Sequence, residues 1–103
     1  MKITQHNGYS NGVANRYIDS NKPVYSISVE LDSQYRWEDG QPTSKVVGYK
    51  AWFTQEGLPP FSVKFSDEID LPKYMSIVEF EGLEGCEIKN NVYFRATSVK
   101  KIK

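Results

Sequence analysis

Short segments in which apolar and polar residues alternate constrain the fold of this chain more than any other feature. One run, residues 46–53, places Lys50 and Trp52 on one face, and a second run near the C-terminus places Tyr93 and Arg95 together. Because successive side chains of a β-strand point to opposite faces, each run offers an apolar row to a core and a row of rings and cations to water. Such surfaces are typical of proteins that bind single-stranded nucleic acid, since rings stack on bases and cations neutralise phosphates.

Five segments of the chain carry the alternating pattern of strands, with turn residues between them. They cover residues 25–31, 45–54, 61–65, 75–80 and 92–99. Five strands with at most a short helical turn are compatible with an OB-fold, an SH3-like barrel or a small β-sandwich. An all-β, five-stranded OB-fold, which is a Greek-key barrel, fits best. The long connection over residues 32–44, which the pattern predicts to be a polar loop, and the segment before the last strand would then flank the binding face.

The domain organisation follows from where the strand pattern begins. Residues 1–20 are rich in Asn, Ser and Gly and show no apolar period, so we expect an irregular N-terminal arm there and an OB-fold domain over residues 21–103. In the first strand, the large side chains of residues 25–31 are expected to face the core and the serines to face water. The best helical candidate, residues 67–74, is interrupted by Pro72.

Composition limits the kinds of partner that the chain can bind. Its 103 residues suit one domain, and thirteen basic residues balance thirteen acidic ones. A zero net charge argues against a broad basic surface for duplex DNA, so any nucleic-acid site is expected to be a local patch. The sequence shows neither a signal peptide nor a membrane-spanning run, and its single cysteine, Cys86, is expected to be a buried apolar residue. A cytoplasmic location without membrane association is therefore expected.

Residue types that carry catalysis or bind metals are sparse. The single histidine, His6, lies far in sequence from Cys86, and neither a phosphate loop nor a zinc or calcium pattern is present. We therefore expect no enzymatic activity, no cofactor and no metal. Paired glutamates across a hairpin could in principle hydrolyse a glycoside, which leaves a small hydrolase as a third hypothesis. The glutamates concerned are Glu79, Glu81, Glu84 and Glu87.

Most aromatic residues are in phase with aliphatic neighbours and are expected to belong to the core. These are Tyr25, Tyr49, Phe53, Phe61, Phe65, Phe80 and Phe94. Four other rings differ, because they lie in the 32–44 connection or in phase with basic residues. They are Tyr35, Trp37, Trp52 and Tyr93. The candidate nucleic-acid-binding residues are these four rings and the basic residues near them in the pattern: Tyr35, Arg36, Trp37, Lys50, Trp52, Lys64, Tyr93 and Arg95.

Several phrases in the second half of the chain resemble one family. They are residues 57–65, Leu71-Pro72, residues 78–80 and residues 91–96. Together they are similar to small OB-fold proteins that bind single-stranded DNA and are carried by phages and plasmids of Gram-positive bacteria. The resemblance covers roughly residues 45–103. It implies a protein that coats single strands during replication or transfer of the mobile element, without sequence preference and without catalysis.

Two hypotheses from different classes follow. The first is a non-enzymatic protein that binds single-stranded DNA, forms homo-oligomers or lines up along the strand, and works with replication or conjugation proteins. The second is a small β-barrel module for protein interaction, an accessory factor of a phage or plasmid, because Tyr, Trp and Arg are also the residues that anchor protein interfaces.

Overall fold

The computed structural model describes residues 8–102, which form a mostly β structure with one short helix. The elements are α1 (Asn11–Tyr17), β1 (Val24–Ser26), β2 (Asp32–Glu38), β3 (Gln41–Gln55), β4 (Phe61–Phe65), β5 (Ile77–Glu81), β6 (Glu84–Ile88), β7 (Asn91–Arg95) and β8 (Ser98–Lys101). The all-β class predicted from the alternating pattern is confirmed. The predicted five-stranded OB-fold is not confirmed, because the described part of the chain forms eight separate strands.

The strands form one ladder in the order β6-β7-β4-β3-β1-β5-β8, and β2 pairs with β3 beside it. All neighbours are antiparallel except β4 and β7, which run parallel. The long strand β3 organises the sheet, since it pairs with β1, β2 and β4. A fifteen-residue strand can do this because different parts of it face different partners.

Two strands near opposite ends of this order, β7 and β8, are close together in the chain. Only Ala96 and Thr97 separate β7, which lies beside β4, from β8, which lies beside β5. The amide of Ala96 donates to the carbonyl of Lys64, and the amide of Thr97 donates to the carbonyl of Glu81. One dipeptide therefore ties β4 to β5 across the ladder.

The core is formed by buried residues of β3, β4 and β7 together with others from α1, β1, β5 and β8. Phe53, Val63 and Phe65 are fully buried, and Phe94 is nearly so. The ring of Phe53 meets that of Phe80 edge to face at 4.8 Å between centroids, a favoured aromatic geometry. Burial of alternate residues fixes the register, because a slip of one residue would expose this whole set.

The connection over residues 32–44, predicted to be a polar loop, is instead a β-hairpin made of β2 and the first part of β3. Glu38 pairs with Gln41, so the turn consists of Asp39 and Gly40, both at positive φ (52° and 76°). This is the geometry that an Asp-Gly pair favours in a two-residue hairpin turn. The loop prediction is wrong because a polar stretch can also form an exposed two-stranded ribbon, and the Asp39-Gly40 pair is a turn signal for such a hairpin.

The first predicted strand is also shorter than expected. Its serines, rather than all of its large side chains, face the interior. β1 ends at Ser26, and Val29 is 83% exposed, whereas Ser26 and Ser28 are buried. Both hydroxyls are hydrogen-bonded there. Ser26 Oγ donates to the Pro72 carbonyl at 3.3 Å, and Ser28 Oγ accepts from the Trp52 amide at 2.6 Å. A small polar side chain can be buried at such a position because the backbone supplies its partner.

Residues 8–20 contain α1, although the sequence showed no helical period there. The Ser10 side chain caps the helix by accepting a hydrogen bond from the Val13 amide at 3.2 Å. Ala14 and Ile18 are buried in the core cluster, and a Cβ atom at Gly85 would lie 3.0 Å from the Ala14 amide nitrogen. The helix thus packs closely on β6. The 67–74 segment is not helical, and residues 1–7, which include His6, lie outside the described residues.

Candidate nucleic-acid interface

Five of the predicted site residues lie on one face of the sheet, which we call the β3–β4–β7 face: Lys50 and Trp52 on β3, Lys64 on β4, and Tyr93 and Arg95 on β7. The register brings them together. Lys50 pairs with Lys64, Lys64 pairs with Arg95, and Trp52 pairs with Ser62. Their neighbours in the chain, such as Ala51, Val63 and Phe94, are buried, so these side chains point away from the core.

The first row of this face consists of three cations on adjacent strands, Lys50, Lys64 and Arg95. Like charges directly opposite each other on a sheet are mutually unfavourable. Within residues 8–102 no carboxylate lies within ion-pair distance of either lysine. An anionic ligand would relieve this repulsion, so the lysine pair is a local electrostatic reason for the face to bind phosphate.

Carboxylates limit the positive charge at both ends of the row. Asp32 on β2 pairs in register with Lys50, and Glu84 on β6 pairs with Arg95. The Arg95 Nε atom donates to Glu84 Oε1 at 2.9 Å, and the guanidinium lies over the Tyr9 ring at 4.1 Å from its centroid. Arg95 is therefore already occupied, and a phosphate would have to compete with Glu84 for it.

The second row contains the two rings. Trp52 is 38% exposed and Tyr93 is 47% exposed. The Lys50 ammonium lies 5.5 Å from the centre of the Trp52 ring, which is within cation–π distance. Each ring therefore has surface on which a base could stack.

A cavity lies at each end of the face. One, of about 460 Å³, is lined by charged and polar side chains that include Tyr9, Lys64, Glu84 and Arg95. The other, of about 380 Å³, has a more apolar lining and includes Trp52 and Tyr93. Trp52 and Tyr93 thus border one cavity, and Lys64 and Arg95 border the other.

Tyr9 was not predicted as a site residue. Its position depends on the bridge between Ser10 and Gly85, which no local sequence pattern indicates. Burial, reinforced by the nearby Cys86, raises the pKa of the Tyr9 hydroxyl above its ordinary value of 10.0, although Arg95 acts in the opposite direction. The hydroxyl is therefore neutral at physiological pH and can donate a hydrogen bond beside Arg95.

The other three predicted residues, Tyr35, Arg36 and Trp37, lie on the β2–β3 hairpin. Trp37 pairs with Pro42, which is ten residues before Trp52 along β3, or roughly 33 Å at the rise of an extended strand. Trp37 is 67% exposed, and the Arg36 Nε atom lies 3.4 Å from Glu38 Oε1. Trp37, near the turn of the hairpin, therefore lies far from the β3–β4–β7 face. Tyr35 lies nearer, because it pairs with Val46, four residues before Lys50 on β3, but it lines neither of the two cavities.

The glutamates of the hydrolase hypothesis take different partners. Glu79 pairs with Lys100, Glu84 with Arg95 and Glu87 with Arg16. The Tyr17 hydroxyl also donates to Glu87, and that hydrogen bond raises the pKa of Tyr17. Across residues 8–102, no three His, Cys, Asp or Glu side chains are placed to hold a metal ion.

Comparisons with protein-family models, with curated proteins and with solved structures gave no match to this chain. The function must therefore be inferred from the site itself. No helix in the described part of the chain has the length and apolar character needed to cross a membrane.

Proposed function

We propose that this chain is a non-enzymatic, cytoplasmic OB-fold protein that binds single-stranded DNA without sequence preference. The β3–β4–β7 face is the binding surface in this proposal. The carrying observation is that strand register places three cations and two exposed rings on that one face. Rings and cations arranged together are what sequence-tolerant binding of single strands requires.

The order of the strands supports the OB-fold part of the proposal. If β7 and β8 are counted as one bent strand, the pairs β3–β4, β4–β7, β8–β5, β5–β1 and β1–β3 close a ring. In this count β1 and β2 form the first strand, and β6 belongs to the connection before the last strand. This order supports the OB-fold, a five-stranded Greek-key barrel whose second and third strands bind oligonucleotides. Here those strands are β3 and β4, which carry Lys50, Trp52 and Lys64.

The two connections that accompany the binding face of an OB-fold also have counterparts here. The connection between the first and second strands is the end of the β2–β3 hairpin, which exposes Tyr35 and Trp37. The connection before the last strand contains β6, which carries Glu84. We therefore expect a bound strand to cross the β3–β4–β7 face and to extend toward the hairpin.

The test is fluorescence anisotropy of a labelled oligo-dT of about 30 nucleotides, titrated at low and high salt with duplex DNA as competitor. Binding that weakens with salt and resists duplex competition is expected. Lys64→Glu should weaken binding strongly, whereas the matched charge reversal Lys100→Glu on β8 should have little effect. Absence of binding by the unmodified protein at low salt would contradict the proposal.

A protein-interaction module remains the second candidate, and one observation favours it. The β2–β3 hairpin exposes three large apolar or aromatic side chains that line neither cavity of the β3–β4–β7 face, which are Tyr35, Trp37 and Val46. Aromatic residues of this kind anchor protein interfaces, either with a second copy of the chain or with a replication or conjugation protein. A pull-down that keeps a protein partner after nuclease treatment, and loses it with Trp37→Ala, would support this function.

A further inference from the structure

The cavity beside Trp52 and Tyr93 has the dimensions of a clamp for one flat ring. Trp52 lies on β3 and Tyr93 on β7, with β4 between them. Neighbouring strands are about 4.8 Å apart, so the two backbones are separated by roughly 9–10 Å. A ring stacked between two others needs about 3.5–4 Å on each side, or roughly 7–8 Å in total. The backbone spacing therefore matches the room that one ring stacked between two others requires.

The residue between the two rings is small. Ser62 pairs with Trp52, and continuing the β4–β7 register by one residue from Val63 and Phe94 places Ser62 beside Tyr93. All three side chains line the same cavity of about 380 Å³. A serine leaves the space between the rings unfilled and supplies a hydroxyl that can donate or accept at the edge of a base. A larger residue would close this gap.

The end of the cavity is apolar, because Leu58, Pro59 and Pro60 line it. A volume of about 380 Å³ also lies in the range of small-molecule sites, roughly 300–1,000 Å³. The cavity thus combines flat stacking surfaces and an apolar wall with a few polar groups, among them Ser62 and Asn91. That chemistry suits a heteroaromatic ring with polar edges.

The charges beside the cavity indicate which kind of ring would enter it. Lys50 and Lys64 each lie two residues along their strands from Trp52 and Ser62, or about 7 Å away. Within residues 8–102 neither lysine has a carboxylate at ion-pair distance. An aromatic side chain of a protein would leave this lysine pair without a counter-charge, whereas a nucleotide brings a phosphate with its base.

We propose that Trp52, Ser62 and Tyr93 form a clamp that holds one unpaired nucleobase between the two rings, while Lys50 and Lys64 bind the adjoining phosphates. This inference rests on the proposed function and specifies how the β3–β4–β7 face holds a strand. It makes Ser62 a residue that determines access to the site.

A double-mutant cycle on oligo-dT affinity tests whether both rings contact the same base. Trp52→Ala and Tyr93→Ala should each weaken binding by roughly 5- to 140-fold, the fold-change equivalent of one stacked base. Because independent sites multiply their effects, rings that share one base should give a double variant whose loss is at least about threefold smaller than the product. Losses that multiply would overturn the clamp.

Filling the gap tests the clamp without removing either ring. Ser62→Leu should reduce affinity by a factor similar to that of the single ring variants, whereas Ser98→Leu, at another half-buried strand serine on β8, should not. Thermal unfolding followed by circular dichroism checks that both variants fold. If Ser62→Leu is folded and binds like Ser98→Leu, the clamp is overturned.

Trp37→Phe leaves Trp52 as the single tryptophan and gives a direct optical readout of stacking. Oligo-dT should quench its emission, and an abasic oligomer of equal length, which carries phosphates without bases, should not. Binding of oligo-dT without quenching would overturn the clamp while keeping the proposed function. Absence of any binding by the unmodified protein would instead overturn the proposed function itself.

Discussion

The β3–β4–β7 face and the β2–β3 hairpin carry the same kinds of side chain but are held in different ways. On the face, Trp52 and Tyr93 lie on strands with neighbours on either side and a core that includes Phe53 and Phe94 beneath them. On the hairpin, Trp37 lies on a strand that pairs with β3 alone and is 67% exposed. A two-stranded ribbon is only marginally stable by itself. The face is therefore preorganised, and a ligand has less ordering to impose on it than on the hairpin.

The largest expected effect is a difference in how much each region contributes to the free energy of unfolding. Phe53→Ala removes a fully buried ring under the face and should lower the free energy of unfolding by about 3–5 kcal/mol. Trp37→Ala on the hairpin should change it by less than about 0.5 kcal/mol. Urea denaturation followed by circular dichroism measures both. Equal losses would mean that the hairpin is part of the same packed unit as the face.

The next effect separates the two regions by binding. Tyr93→Ala should weaken oligo-dT binding by about 1–3 kcal/mol, since a preorganised stacking surface is lost. Tyr35→Ala should cost less than about 1 kcal/mol, because part of its stacking energy is used to order the hairpin. Tyr74→Ala, an exposed tyrosine on the segment before β5, is the matched control and should bind normally. A larger loss for Tyr35 than for Tyr93 would reverse the comparison.

Strain at the hairpin turn should stay local. Gly40 has φ of +76°, so Gly40→Ala should weaken the hairpin by about 1–2 kcal/mol. Hydrogen exchange should accelerate at β2 amides and remain unchanged at β4 amides, since β2 lies off the main ladder. Gly8→Ala, where no atom lies within 4 Å of an added Cβ, serves as the control. Faster exchange in β4 would show that the two regions open together.

The smallest effect concerns Glu84, which competes with phosphate for Arg95. Glu84→Gln should strengthen oligo-dT binding by about 0.2–1 kcal/mol, the usual range of an exposed ion pair. It should also steepen the dependence of log K on log salt by about 0.7, as one more phosphate contact forms on a single strand. Glu79→Gln removes the same charge from the Lys100 pair on β5 and β8 and controls for net charge. If the two variants bind oligo-dT with identical affinity, Arg95 does not contact phosphate.

Local alternation predicted the parts of the fold that are set by burial on one face. The 61–65 strand coincides with β4, and the 45–54 and 75–80 predictions overlap β3 and β5. Errors arose where hydrogen bonds rather than apolar contacts decide the structure. The Asp39-Gly40 turn converts a polar stretch into a hairpin, and backbone groups of distant residues satisfy the serines near β1.

The candidate site was predictable to a similar extent. Period-two spacing placed Lys50 with Trp52 and Tyr93 with Arg95, because both pairs are local. The parallel β4–β7 register is what brings the β3 pair and the β7 pair to the same face. The contact of Tyr9 with Arg95 depends on the bridge from Ser10 to Gly85. Such long-range pairings have no local signature, so the sequence alone could not indicate Tyr9, Ser62 or Glu84.

The most direct test of the central claim is to map the surface that oligo-dT contacts on the folded protein. Amide chemical shifts of the ¹⁵N-labelled chain, recorded during titration with oligo-dT, report contacts residue by residue. The account predicts that the largest changes cluster on β3, β4 and β7 around Trp52, Lys64 and Tyr93, with smaller changes on the hairpin and none on the β5–β8 pair. Changes confined to the hairpin or to β5 and β8, or no changes at low salt, would contradict it.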